Sequence, residues 1–174
     1  MRQVFFIITL IVMLQYILSG CTEEEGKRIQ QLKFYPADDL TGIINLSRVT
    51  LDTVIFSEGT GSIKVVADQP MVVKLYEFED LEVENCRIIY QAKLKTAGLL
   101  GDAYLEMWCH FPGKGDFFSR TLHSKLSGDN DWSSHEAPFM LQKGERPDHV
   151  TLNLAVNGTG TVWIDNIRLI KVPL

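Results

Sequence analysis

The apolar and polar positions divide the chain into a continuous apolar head and a long body of short, regularly interrupted apolar stretches. In the body the repeat is two residues. Over 86–95, Cys86, Ile88, Tyr90, Ala92 and Leu94 fall on one side, and Arg87, Gln91, Lys93 and Lys95 on the other. Over 103–111, Ala103, Leu105, Met107, Cys109 and Phe111 alternate with Tyr104, Glu106, Trp108 and His110. A helix would scatter these residues around its circumference, whereas a strand sends them to opposite faces, so the pattern predicts strands with one face buried. Further strands are expected over 49–56, 62–67, 71–78, 117–122, 132–141, 150–156 and 161–170. The last two flank Asn157-Gly158-Thr159-Gly160, residues that tolerate positive φ and so predict a hairpin turn; a loop over 158–160 would set Trp163 opposite Ala155. No segment shows an amphipathic helix of ten residues or more. Short strands separated by Gly, Asn, Asp and Pro predict an all-β, antiparallel two-sheet β-sandwich.

The head has a different character. Arg2 precedes an apolar run over 4–18 that only Thr9 and Gln15 interrupt. Such a run makes about 22 Å of helix, short of a bilayer span and suited to the hydrophobic region of a signal peptide. It ends in Leu18-Ser19-Gly20-Cys21, which resembles the lipobox of bacterial lipoproteins. That resemblance implies cleavage ahead of Cys21, a diacylglycerol on its thiol, and a chain held to the membrane of the bacterial cell envelope by that lipid. Acyl chains anchor through about 0.8 kcal/mol per buried CH₂. Thr22 stands where lipoproteins retained at the inner membrane carry Asp, so the outer membrane is favoured in a Gram-negative cell. The polar stretch over 22–28, with Glu23, Glu24 and Glu25, reads as a solvated tether. The expected organisation is thus a signal peptide over 1–20, a lipidated cysteine and tether over 21–31, and the sandwich over 32–174.

Composition narrows the function. The 174 residues carry 17 Lys+Arg against 22 Asp+Glu, a formal net charge of −5, which argues against nucleic acid as a partner. Three cysteines cannot build a disulfide scaffold. Cys86 and Cys109 fall on inward faces, where an exported protein either bonds them or keeps two thiols as small hydrophobes. Signs of catalysis are poor. His110, His123, His135 and His149 lack the spacing of a zinc motif, and Ser119 and Ser124 lack a nucleophile elbow. The acidic run over 77–84 nominates no carboxyl pair at a separation suited to glycoside hydrolysis.

Several stretches together resemble the galactose-binding-like jelly roll of bacterial carbohydrate-binding modules. They are Gly158-Thr159-Gly160-Thr161-Val162-Trp163-Ile164-Asp165-Asn166-Ile167-Arg168-Leu169, the segment Ser57 to Val65 with its Gly-Ser corner, and Asp131-Trp132-Ser133. The resemblance implies a jelly-roll fold and a non-catalytic role in binding, and says little of the ligand. It also implies that Asp165, with Glu58 from the Gly-Ser segment, could ligate a structural calcium ion. The residues alone leave a second role open. Val162 and Ile164 share a face with Ile167 and Leu169 only if parity slips at Asp165-Asn166, as in a β-bulge, and Asp165 would then cap the bulge through backbone N–H groups.

Tyr104, Glu106, Trp108 and His110 form an outward row that could hold a glycan, the rings stacking on a sugar and the carboxylate bonding its hydroxyls. The same row could instead be a covered or purely structural stripe. Arg120, on the following strand, either lies beside Trp108 as a donor to hydroxyls or pairs with Glu106. Trp132 and Trp163 read as structural. The sequence therefore points to a tethered glycan-binding sandwich, with an envelope protein partner as the alternative and glycan hydrolysis a distant third.

Overall fold

A computed structural model describes residues 28–174. Cys21, the lipobox and most of the tether lie outside the described residues. Eight strands follow in order: β1 (Gln30–Tyr35), β2 (Thr50–Asp52), β3 (Ser62–Ala67), β4 (Met71–Glu79), β5 (Cys86–Phe111), β6 (Gly115–Arg120), β7 (Leu126–Leu141) and β8 (His149–Pro173). β1 begins two residues ahead of the expected domain boundary at residue 32.

The fold is an all-β jelly-roll sandwich built on two long strands. β5 and β8 pair antiparallel from His110↔His149 to Cys86↔Pro173, and both turn a corner together. At that corner the register shifts between Ala97 and Leu100, and Gly98, Gly101 and Gly160 adopt positive φ. The two backbones approach too closely for side chains. A Cβ on Gly158 would lie 1.9 Å from the Leu100 carbonyl oxygen, and one on Gly101 would lie 2.2 Å from that of Asn157. Only glycine fits there.

Beyond the corner each limb belongs to a different layer. In the first layer the N-terminal limb of β5 lies between β7 and the C-terminal limb of β8, whose other edge takes β1 and β3, with β2 outside β3. In the second layer the C-terminal limb of β5 and the N-terminal limb of β8 lie between β6 and β4. The inward faces meet in one core. Ile88, Tyr90 and Leu94 from one limb of β5 pack in the same cluster as Leu105, Met107 and Cys109 from the other, with Leu152, Leu154, Ile164 and Ile167 of β8. The alternation seen over 86–95 and 103–111 is thus realised as expected.

Three expectations are corrected. Residues 157–160 form no hairpin: Asp102, Gly101 and Leu100 of β5 pair with Asn157, Gly158 and Thr159, so β8 runs on unbroken. Turn-prone residues mark a corner in a continuous ladder equally well. Trp163 accordingly faces Lys64 and Lys95, while Ala155 faces Val72 and Tyr104. The strand expected over 49–56 stops at Asp52, because Asp52 Oδ1 accepts the backbone N–H groups of Val54 and Ile55, each at 2.9 Å, and turns the chain.

The loop so formed lies over the outer face of the first layer. Trp163 Nε1 donates to Asp52 Oδ2 at 2.9 Å, and this bond, with those from Ile55 and Val54, lowers the Asp52 pKa from 3.8 to about 2. A carboxyl depressed on folding stabilises the protein above its unfolded pKa, and that stability is lost as pH falls through the folded pKa. Asp52→Asn is therefore expected to flatten the fall in urea-unfolding free energy between pH 4 and pH 2 relative to wild type. Parallel acid limbs would exclude this role for Asp52.

Candidate functional site

The outer face of the second layer is open, and register alone organises it into three rows across β4, β8, β5 and β6. Lys74, Asn153, Glu106 and Arg120 make the first, Glu77, Thr151, Trp108 and Phe118 the second, and Glu79, His149, His110 and Asp116 the third. Alternation on β5, β6 and β8 produces these rows, because Val150, Leu152 and Leu154 of β8 and Leu105, Met107 and Cys109 of the C-terminal limb of β5 turn inward, while a register shift between Lys74 and Tyr76 brings Lys74, Glu77 and Glu79 of β4 to the same face. The face holds a cleft of about 540 Å³ lined by Lys74, Glu77, Trp108, His110, Asp116, His149, Thr151 and Asn153.

Glu106 is the anchor of this face and not part of its surface; its side chain is only 4% exposed. Oε2 accepts from Arg120 Nε at 2.5 Å, while Oε1 accepts from Trp108 Nε1 at 2.6 Å and from Asn153 Nδ2 at 3.1 Å. A buried carboxylate is tolerated when paired and multiply bonded in this way. The bond to the indole N–H fixes the half-buried Trp108 ring, which packs on Phe118 with centroids 5.0 Å apart. The Arg120 guanidinium lies 4.2 Å over the other aromatic, Phe118, whose residue is half exposed. Arg120 thus takes the second of its two expected roles, the ion pair with Glu106. The Asn153 amide, oriented by Glu106, leaves its carbonyl oxygen without a donor.

At one end of the cleft His110 Nδ1 bonds Asp116 Oδ1 at 2.7 Å, and His149 Nδ1 lies 3.1 Å from Asp148 Oδ1. The Asp148 carboxylate against its ring, reinforced by the charges of Glu79 and Glu77, raises the pKa of His149 above its ordinary value. On the other wall Lys74 Nζ pairs with Glu77 Oε2 at 2.8 Å. Tyr104 lies outside this cleft, in an adjoining hollow of about 270 Å³ with Val72 and Ala155.

Of the five residues expected to contact a ligand, the cleft therefore exposes Trp108 and His110, uses Glu106 and Arg120 to support them, and places Tyr104 next door. Sequence reasoning missed Lys74, Glu77, Asp116, His149, Thr151 and Asn153. The signal for the β8 residues was present, since His149, Thr151 and Asn153 alternate with Val150, Leu152 and Leu154.

On the opposite layer the parity slip at Asp165-Asn166 is realised. Four residues of β8 (165–168) span what three span on β5 (91–93), and Asn166 adopts φ 56°. Asp165 is fully buried, and its Oδ2 accepts the N–H groups of Ser57 at 2.8 Å and Glu58 at 3.0 Å. Burial raises its pKa in spite of those bonds. Glu58 is taken up by Lys93 Nζ and Asn166 Nδ2, each at 2.6 Å. A calcium ion needs six to eight oxygen ligands, whereas this set is dominated by N–H donors and an ammonium, with only Asp165 Oδ1 unbonded. The residues as arranged fit the capping role and not a calcium cage. Cys86 and Cys109 are both free and buried; burial raises the Cys86 pKa and pushes the Cys109 thiol up to about 12. Trp132 is half-buried within β7.

No protein-family model matches the chain, and no curated protein matches it in sequence. Solved structures do resemble it. The CBM22-1 xylan-binding domain from Paenibacillus barcinonensis Xyn10C superposes with a TM-score of 0.63 at 10% identity, covering 85% of this chain and 98% of that one. The CBM22-1-GH10 modules of Clostridium thermocellum xylanase 10B, complexed with xylohexaose, give 0.60 at 12% identity, covering 80% of this chain and 28% of that one. A cyclase from Fischerella sp. TAU gives 0.56 at 12% identity, covering 84% and 98%. At these identities the likeness establishes the fold, a jelly-roll β-sandwich, and no more.

Removing Glu106 should expose how much of the face hangs on it. Glu106→Ala strands Arg120, the indole N–H and the Asn153 amide together, and is expected to destabilise the domain by about 3 kcal/mol in urea unfolding. A loss below about 1 kcal/mol would show that the network contributes little.

Proposed function

We propose that this chain is a non-catalytic glycan-binding domain carried by an exported, lipid-anchored protein of the bacterial envelope. The observation that carries the reading is the open cleft on the second layer, where a tryptophan ring is held in place by a buried carboxylate beneath a polar surface. Rigid aromatic faces with a few oriented polar groups are what a ligand site needs, and an aromatic side chain concentrates binding energy because its truncation loses area without freeing entropy. Lys74, Glu77, His110, Thr151 and Asn153 supply donors and acceptors of the kind sugar hydroxyls satisfy. The likeness to xylan-binding domains supports the same class of ligand, and makes xylohexaose the first probe.

Titration of the chain with xylohexaose, and then against a broad glycan array, tests this reading. Trp108→Ala, shown by circular dichroism to be folded, is expected to lose about 2 kcal/mol of affinity, roughly thirtyfold. The curve is expected to be the same in calcium and in chelator, since Asp165 Oδ2 and both Glu58 oxygens already accept from the chain's own donors. Silence of the folded protein across the array would overturn the glycan reading and favour an envelope protein partner. A calcium-dependent curve would restore Asp165 and Glu58 as ligands.

The anchor rests on the Leu18-Ser19-Gly20-Cys21 resemblance. Cys21→Ser is expected to move the protein from the membrane to the soluble fraction of a bacterial host and to abolish labelling by a fatty acid. Retention of the label would place the lipid elsewhere.

A further inference from the structure

The cleft ends in a feature that glycan recognition does not require. His110 of β5 stands directly opposite His149 of β8 in the register, with ring centroids 6.1 Å apart and the rings edge to face. Both side chains are 42% exposed, and both residues line the cleft. Each Nδ1 faces a carboxylate, Asp116 Oδ1 at 2.7 Å for His110 and Asp148 Oδ1 at 3.1 Å for His149. A carboxylate on one nitrogen is what orients metal-binding imidazoles: for His110 the bond to Asp116 holds the ring through Nδ1 and leaves Nε2 as the basic nitrogen, and Asp148 stands on the same side of His149. With metal–nitrogen bonds of about 2 Å, two imidazoles on one ion hold their centroids roughly 5–6 Å apart, close to the separation observed. Glu79 Oε1, 3.5 Å from His149 Nε2, adds a third negative charge on an exposed side chain.

We propose that His110 and His149 form a two-imidazole site for a borderline divalent cation such as Zn²⁺ or Ni²⁺. Imidazole nitrogen selects these ions over calcium and magnesium, which take oxygen. Among the described residues no group of three or more His, Cys, Asp or Glu side chains is already arranged to hold a metal. The chain therefore supplies two nitrogens through the Nε2 atoms and water completes the coordination, which makes the site exchangeable and leaves the fold independent of it. The ion would sit on the cleft wall one cross-strand row from Trp108, and the inference stands whether or not the cleft binds a glycan.

Calorimetric titration of the full chain with Zn²⁺ tests the site, alongside His110→Gln and His149→Gln. Both positions are exposed, and circular dichroism checks that the variants fold. One ion per chain is expected for the wild type, with affinity reduced at least tenfold in each variant. Absence of uptake by the wild type would overturn the proposal. So would uptake unchanged in both variants, which would place the ion on another group.

Discussion

The structure depends on one backbone contact, the corner that β5 and β8 turn as a pair. Gly158 against Leu100 and Gly101 against Asn157 approach so closely that no Cβ fits on either side. Because the paired strands bend together, each contributes a limb to both layers and the ladder continues from one layer to the other. The two inward faces then oppose one another, and the residues from 86–94 and from 103–111 share one core. A conventional turn in either strand would have split the ladder and left its backbone groups in search of partners. Bending a hydrogen-bonded pair through glycines keeps those groups satisfied while the sheet folds back on itself.

The two outer faces have been given opposite fates. On the first layer the loop after β2 is laid across the sheet and fastened at two points of β8. The indole of Trp163 bonds Asp52, and the buried carboxylate of Asp165 bonds the backbone at Ser57 and Glu58. Lys93 adds an ammonium to the same region through Glu58. Among the described residues the second layer has no such cover. There the buried acid turns inward to the sheet's own side chains, with Glu106 gathering an arginine, an indole and an amide. The result is a surface that is rigid without being covered, which is the physical requirement for a preformed site. Rigid support of this kind is what the carboxylate in the middle of the row supplies to the aromatic ring.

The histidines show how far a linear reading reaches. No pair of them has the spacing of a metal motif, and that exclusion is valid for ligands carried on one helix or one tight turn. Antiparallel pairing follows another rule: residues far apart in the chain become nearest neighbours wherever register opposes them. His110 and His149 meet in this way, as do Glu106 and Asn153, and Trp108 and Thr151.

Alternation by itself determined that the body of the chain is all β, which residues of β5 and β8 face the core, and that parity breaks at Asp165-Asn166. Those are local properties, because a strand sends successive side chains to opposite faces whatever its partners are. Glycine, Asn and Thr at 157–160 declared a departure from regular strand but not its kind, since the same glycines can serve a turn or a corner: here only Gly160 takes positive φ, and Gly158 answers the close approach of Leu100. Which strands lie side by side, and so which polar residues gather around Trp108, was decided only by tertiary structure. Register is set by the packing of the whole core and by the glycine corner, and a shift of one residue would have turned every side chain of the candidate site to the opposite face.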